Sequence, residues 1–176
     1  MWQETLAKLY RMLLVKPDST ILDIGTGFTT NVELLLENAP QNARIWSIDP
    51  EQQPIDSATC RFREQIISGR LSLKRARAEE LPFKDGFFDY VTTAITFHHV
   101  LDKRQALGEV DRVMKSEGLG ILLDWDAEGA RYSPHPPQHL EKSMIETLSL
   151  LREMFKIRIE KQHSKIFYYV VFEKKG

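Results

Sequence analysis

The sequence predicts an α/β fold: a doubly wound, seven-stranded and mostly parallel sheet with an antiparallel final strand. Three observations carry that expectation. Strand-like and helix-like segments alternate five times, which calls for parallel strands joined by helices on both faces. The first apolar strand runs into an acidic residue and a Gly-x-Gly turn, Asp23-Ile24-Gly25-Thr26-Gly27, and then into a helical segment. The last two strand-like segments are joined by only a few residues, too few for a parallel crossover, so they pair antiparallel.

The elements follow in order. Leu6, Leu9, Tyr10 and Leu13 fall on one face of a first helix, which Lys16-Pro17-Asp18 ends. Thr20 to Ile24 is the first strand. Val32, Leu35, Leu36 and Ala39 repeat the helical spacing until Pro40. The second strand, Arg44 to Ile48, ends at Asp49-Pro50. A single helix is expected over 54–67, with Pro54 in its first turn and Gly69 as its cap. Strands follow at 71–75 and, after the loop 81–89, at 90–95. Asp102 caps a helix whose inner face is Leu107, Val110 and Met114. Residues 118–123 read as a buried strand ending at Asp124, and 125–138 as a loop carrying Pro134, Pro136 and Pro137. Leu140, Met144, Leu148, Leu151 and Phe155 mark one more helix, before strands at 156–161 and 166–173. One domain, 1–176, accounts for the chain, with residues 1–15 expected as a helix over the site.

Composition narrows the function classes. Hydrophobic residues make up 42% and charged residues 28% of the 176, enough for a sizeable core. The formal net charge of -1 gives no footprint for nucleic acid or an anionic membrane. Cys60 is the only cysteine, so neither a disulfide framework nor a cysteine metal site is expected. Glu4, Lys8 and Arg11 interrupt the N-terminal segment, and no apolar run approaches the roughly 20 residues that cross a bilayer. The expectation is a cytoplasmic protein with no membrane partner.

In a sheet of this kind ligands bind beyond the carboxyl ends of the strands. Gly25 and Gly27 let backbone N–H groups approach a ligand without an intervening Cβ, although a plain tight turn has the same form. Asp49 ends the second strand, where a carboxylate accepts both hydroxyls of a ribose; the alternative is a solvated aspartate or helix cap. A dinucleotide fingerprint would carry glycine where this chain has Thr30. The turn therefore fits a nucleoside without a pyrophosphate better than a nicotinamide dinucleotide, which disfavours an oxidoreductase.

Six segments in register then resemble one family. They are Ile21 to Thr29, Ser47-Ile48-Asp49, Ala78 to Phe83, Phe87 to Val91, His98-His99-Val100 and Arg112 to Gly118. In this order they look like the small Rossmann-like S-adenosylmethionine-dependent methyltransferases, over about 20–124. The resemblance implies that Gly25, Thr26 and Gly27 line the methionine portion and ribose of S-adenosylmethionine. It seats Asp23 beneath the turn, meeting the cofactor amino group directly or through water. It gives the ribose hydroxyls to Asp49, with Pro50 beside it, and lays Ala78 and Glu79 along the adenine edge. Ala94 and Ile95 would end the fourth strand beside the cofactor. Thr29 stands at the family's third glycine. Arg77 stands where similar proteins often carry an aspartate for the adenine amino group; an arginine cannot accept that bond but can stack on the ring.

For the acceptor, His98 is the preferred base of the pair His98 and His99, with Asp124 and Asp126 approaching from the fifth strand; packing or loop capping would account for each equally. No compact metal-ligand spacing is present, and no metal is expected. His135 and His139 suit a substrate lid or a plain exposed loop. Trp2, Trp125 and Tyr132 are candidates for an aromatic wall. The segment Thr93-Ala94-Ile95-Thr96 lacks the Asn-Pro-Pro-Tyr form of base and glutamine methylation, which argues further against nucleic acid. The expected partner is a small-molecule methyl acceptor, enclosed by loops or completed by a second copy in a homodimer. A non-catalytic, methyltransferase-like cofactor-binding module is the alternative.

Overall fold

The computed structural model describes residues 1–176. Seven strands, β1 Thr20–Ile24, β2 Arg44–Asp49, β3 Leu71–Arg75, β4 Phe88–Ala94, β5 Met114–Trp125, β6 Phe155–His163 and β7 Phe167–Lys174, form one sheet in the order β3-β2-β1-β4-β5-β7-β6. Pairing from β3 through to β5 is parallel; β7 runs antiparallel to both β5 and β6. The order reverses between β1 and β4, so the crevice beyond their carboxyl ends is the place for a ligand.

Strand alternation sends side chains to opposite faces, and each face carries a core. On one face Ile21, Ile45 and Tyr90 meet Leu6, Leu9 and Tyr10 of α1 (Trp2–Leu13) and Val32, Leu35 and Leu36 of α2 (Thr30–Asn38). On the other, Leu22, Ile24 and Val91 meet Leu107 and Val110 of α5 (Lys103–Val113) and Leu150 and Leu151 of α6 (Pro137–Met154). Asp102 caps α5 by accepting the Gln105 N–H at 2.9 Å. No helix is long and apolar enough to cross a membrane.

The single helix expected over 54–67 is two: α3 Gln52–Arg61 and α4 Arg63–Ile67. Phe62 leaves helical dihedrals, at φ -112 and ψ 35, and buries its ring. Burial of one large aromatic outweighs the continuity of an exposed helix. The expected loop at 125–138 is partly ordered. Asp126 accepts the Ala127 N–H and starts a 3-10 turn, Ala127–Tyr132, and α6 begins at Pro137, where the missing N–H costs nothing. β5 is longer than its apolar run because Met114 still pairs with Phe88 across an irregularity.

Two of the resembling segments hold the frame. Asp89 receives Lys16 at 2.5 Å, Lys115 at 2.8 Å and the Thr20 N–H at 2.9 Å, tying β4 to the entry of β1 at the end of the sheet away from the crevice. Burial opposes ionisation there, yet these donors hold its carboxyl well below the usual range. Arg112 donates to the carbonyls of Leu81 and Phe83 and pairs with Glu109, pinning the loop after β3.

Candidate active site

The glycine turn is fixed from below. The N–H groups of Gly25 and Thr26 both donate to the Ile48 carbonyl, at 2.9 and 3.0 Å, which folds the end of β1 over β2. Gly25 has φ +97, and a Cβ there would sit 2.3 Å from Thr96 Oγ1. Only glycine meets both demands. The third glycine position, Thr29, keeps the left-handed backbone at φ 67, a strained state for a β-branched residue, and its hydroxyl accepts from Arg61 at 2.7 Å.

Beneath the turn lies a polar row that crosses the sheet. Ser47, Asp23 and Thr92 are register partners on β2, β1 and β4. Asp23 accepts from Ser47 Oγ and Asn31 Nδ2, each at 2.6 Å, and Ser47 lies 2.7 Å from the Thr26 hydroxyl. Tyr10 of α1 closes the row, 2.7 Å from Asn31 Oδ1 and 2.5 Å from Thr92 Oγ1. Burial pushes the Asp23 carboxyl up to about 7, against the opposing pull of Ser47 and Asn31. Asp23 thus sits beneath the turn as expected, but it is 0% exposed and both its oxygens are engaged. A direct salt link to a cofactor amino group is closed to it. The helix expected to lie over the site supports it from beneath instead, through Tyr10, and no residue of 1–15 lines the cleft.

Asp49 turns its carboxylate back on the turn. Oδ2 accepts the Gly27 N–H at 2.9 Å and Oδ1 the Glu51 N–H at 3.0 Å, and each oxygen retains a lone pair for a further donor. Gly25, Pro50, Arg77, Ala78 and Glu79 of the expected set line one cleft of about 90 Å³. That is narrow against the roughly 300–1,000 Å³ of pockets that enclose whole small molecules, so the cleft takes one flat end of a ligand and the remainder follows the exposed Gly27. Arg77 lies beside Glu79, Nε to Oε2 3.7 Å, with its side chain 59% exposed and free to cover a ring. A tight turn that excludes a Cβ at Gly25, beside a carboxylate with lone pairs to spare, fits S-adenosylmethionine.

The β4 side departs from expectation. Ala94 ends the strand but is packed in the core, and Ile95, at a left-handed φ of 53, packs its half-buried side chain against the same core. Thr96, not Ala94 or Ile95, forms the cleft wall against Gly25. His98 and Asp124 do come together: the His98 N–H donates to Oδ2 and ring Nδ1 lies 2.7 Å from Oδ1, with both side chains almost wholly buried. His98 does not reach the cofactor cleft; His99 does. Both histidines line an adjoining recess of about 330 Å³, together with His135 and His139. Burial, followed by the neighbouring His98 and His135, holds His99 down at about 4. Asp126 is spent on the turn at Ala127, and Trp125 stacks on Tyr132 at 5.8 Å while Trp2 packs on the same core.

Asn31, Ser47, Thr92 and Thr96 are site-supporting residues that motif reading missed. A signal for two of them, Ser47 and Thr92, existed: like β1 with Asp23, each of their strands places one polar residue at the height of the turn among apolar side chains directed toward α1 and α2.

The chain matches the family described as "Methyltransferase domain" over residues 22–122, more than half of its length. It is 32% identical over 106 residues to the ubiquinone/menaquinone biosynthesis C-methyltransferase UbiE of Citrifermentans bemidjiense, covering 60% of this chain and 45% of that protein. It is 26% identical over 155 residues to the uncharacterized methyltransferase YcgJ of Bacillus subtilis, covering 88% of this chain and 56% of that one. The chain thus spans about half the length of these curated relatives. Among solved structures, a SAM dependent methyltransferase from Aquifex aeolicus superposes with a TM-score of 0.82 at 21% identity, over 98% of this chain and 89% of that one. The YcgJ structure superposes with a TM-score of 0.75 at 16% identity, over 98% and 99%. The family read from the six segments is borne out, and the chain belongs to the methyltransferase-domain family.

Proposed function

We propose that this domain transfers a methyl group from S-adenosylmethionine to a small molecule held in the recess beside the cofactor cleft. The observation that carries this is the shared wall: His99 faces both the cleft, with Gly25 and Thr96, and the recess, with His98 and His135. When bound, the cofactor supplies an already activated methyl group on its sulfonium. Asp49 binds the ribose hydroxyls beside the Gly27 N–H, and Arg77 covers the adenine. The polar row under the turn keeps Asp23 in reach of the cofactor amino group through water only. The Asp124 carboxylate takes the Nδ1 proton of His98 in a hydrogen bond, which leaves the other ring nitrogen as a proton acceptor. An acceptor hydroxyl or acidic carbon in the recess loses its proton to that nitrogen. The relatives named for ubiquinone and menaquinone biosynthesis methylate carbon, which makes hydroxylated rings the first class to try. A cytoplasmic setting fits the exposed, unpaired thiol of Cys60.

The test is transfer of labelled methyl from S-adenosylmethionine into small hydroxylated aromatic compounds and a small-metabolite fraction. The expected result is transfer by the wild type and a loss on the order of 10²–10⁴-fold in His98→Asn, with cofactor affinity retained. Binding of S-adenosylmethionine without transfer to any small molecule would favour the non-catalytic module instead.

A further inference from the structure

Four of the five histidines in the chain gather in the recess, although they come from two distant stretches, 98–99 and 135–139. One ring nitrogen from each of His98, His99 and His135 falls within 4.8 Å of the others. The rings of His98 and His135 are 5.1 Å apart, and those of His99 and His135 4.8 Å. His135 Nε2 is buried with no hydrogen-bond partner, an arrangement that is costly for a ring nitrogen unless something else satisfies it. His98 has its Nδ1 on Asp124 and donates its main-chain N–H to the same carboxylate. A histidine fixed by a carboxylate on one nitrogen, leaving the other to bind, is the outer-shell arrangement of histidine metal sites.

We propose that His98, His99 and His135 form a binding site for one divalent cation of the zinc class, with an open fourth position facing the recess. Three neutral imidazoles suit zinc, nickel or cobalt and leave out calcium and magnesium, which take oxygen ligands. Zinc–nitrogen bonds of about 2.0–2.1 Å in a tetrahedron put the nitrogens roughly 3.4 Å apart, so the cluster must tighten. His99 is exposed and His135 half-exposed, which leaves both rings free to turn inward. Two lysines also line the recess, Lys103 and the exposed Lys142. Lys103 Nζ is tied to the Val100 carbonyl at 2.9 Å and lies 3.8 Å from Glu146. The open position would take an oxygen of the acceptor, a role that rests on the recess being the acceptor site. Coordination and proton abstraction would both use the same nitrogen of His98, so with the cation bound the metal would acidify the acceptor hydroxyl and its proton would pass to solvent water at the mouth of the recess.

The experiment uses the full chain without an affinity tag, in a Cys60→Ser background that removes the lone thiol. Cobalt(II) chloride is titrated in and followed by visible absorption, with zinc(II) chloride as competitor, and neither cofactor nor acceptor is present. One cation per chain is expected. Affinity should fall on the order of 10–100-fold in Asp124→Asn and further in His99→Ala and in His135→Ala, while His163→Ala on β6 leaves it unchanged. Folding of each variant is read by thermal unfolding without metal. Equal affinity in the wild type and a His99→Ala/His135→Ala double variant, or no stoichiometric binding at all, overturns the proposal. Because methyl transfer is not the readout, an inactive but metal-binding protein refutes only the acceptor assignment.

Discussion

The two halves of the crevice are built on different principles. The β1/β2 half is made of backbone: two glycines, two N–H groups on one carbonyl, and a carboxylate that accepts the Gly27 and Glu51 N–H groups. Its buried side chains are hydrogen-bonded before any ligand arrives, in a row that crosses three neighbouring strands and is completed by Asn31 of α2 and Tyr10 of α1. The β4/β5 half is made of side chains, with His98 meeting Asp124 across 26 residues and His135 and His139 arriving from a separate loop. A preorganised backbone cradle suits a ligand of fixed chemistry. A cluster of side chains from several elements suits a ligand that differs from one family member to the next.

The largest effect should separate the halves by what is lost. Asp124→Asn is expected to reduce methyl transfer on the order of 10²–10⁴-fold, through loss of the His98 tautomer and orientation, while leaving binding of S-adenosylhomocysteine within about twofold. Steady-state rates and calorimetry on the same preparation check it; a parallel loss of cofactor affinity would mean that the two halves are not independent.

Gly25→Ala attacks the other half through its backbone. The new methyl meets Thr96 and the left-handed φ together, and the expected cost is about 3 kcal/mol or more in urea unfolding. Adding Thr96→Ala should return roughly half of that, because space is restored while φ +97 is not. Full recovery would assign the whole cost to packing.

A pH series tests the buried row. The Asp23 carboxyl sits at about 7 in the fold against an ordinary 3.8, so folding favours its protonated form. Its stabilising contribution is complete below the ordinary range and is lost as pH rises toward about 7. Asp23→Asn stays neutral at every pH and keeps the hydrogen bonds to Asn31 and Ser47 within reach. Unfolding free energy of the wild type should therefore decline relative to the variant between pH 4 and pH 7 and run parallel above. Parallel curves throughout would show that Asp23 is ionised without penalty.

The smallest effect concerns Thr29. Replacement by glycine removes left-handed strain of about 1–2 kcal/mol and a hydrogen bond from Arg61 of about 0.5–1.5 kcal/mol, for a net gain of about 0.5 kcal/mol. A net loss in thermal unfolding would make the Arg61 contact the stronger of the two.

The same contrast explains what could be read from the residues. The glycine turn and the carboxylate of Asp49 beside it were legible because a close backbone approach demands glycine and a strand–helix–strand unit sets the spacing to the next strand end. The parallel run of strands and the antiparallel pairing of the last two were legible because connection length decides which of the two pairings is possible; the order of the strands across the sheet was not. Thr96 was not, since its importance lies in touching Gly25 from another strand. His99 rather than His98 on the cleft wall depends on a 3-10 turn at Phe97–His99, which carries no periodic signal. The break at Phe62 was hidden for a similar reason: local propensity supported helix, and burial of one ring overrode it.

The claim that joins these parts is that the cleft lined by Gly25 and Arg77, with Asp49 on the adjoining turn at Gly27, is an S-adenosylmethionine pocket. It is tested most directly by thermal unfolding with S-adenosylhomocysteine and with NAD, on the wild type and on Asp49→Ala. At one hundredfold over its dissociation constant S-adenosylhomocysteine should add about 2.7 kcal/mol, a rise of roughly 5–10 °C, with none from NAD. In Asp49→Ala most of that rise should vanish. A rise with NAD alone, or an undiminished response in Asp49→Ala, would contradict the assignment.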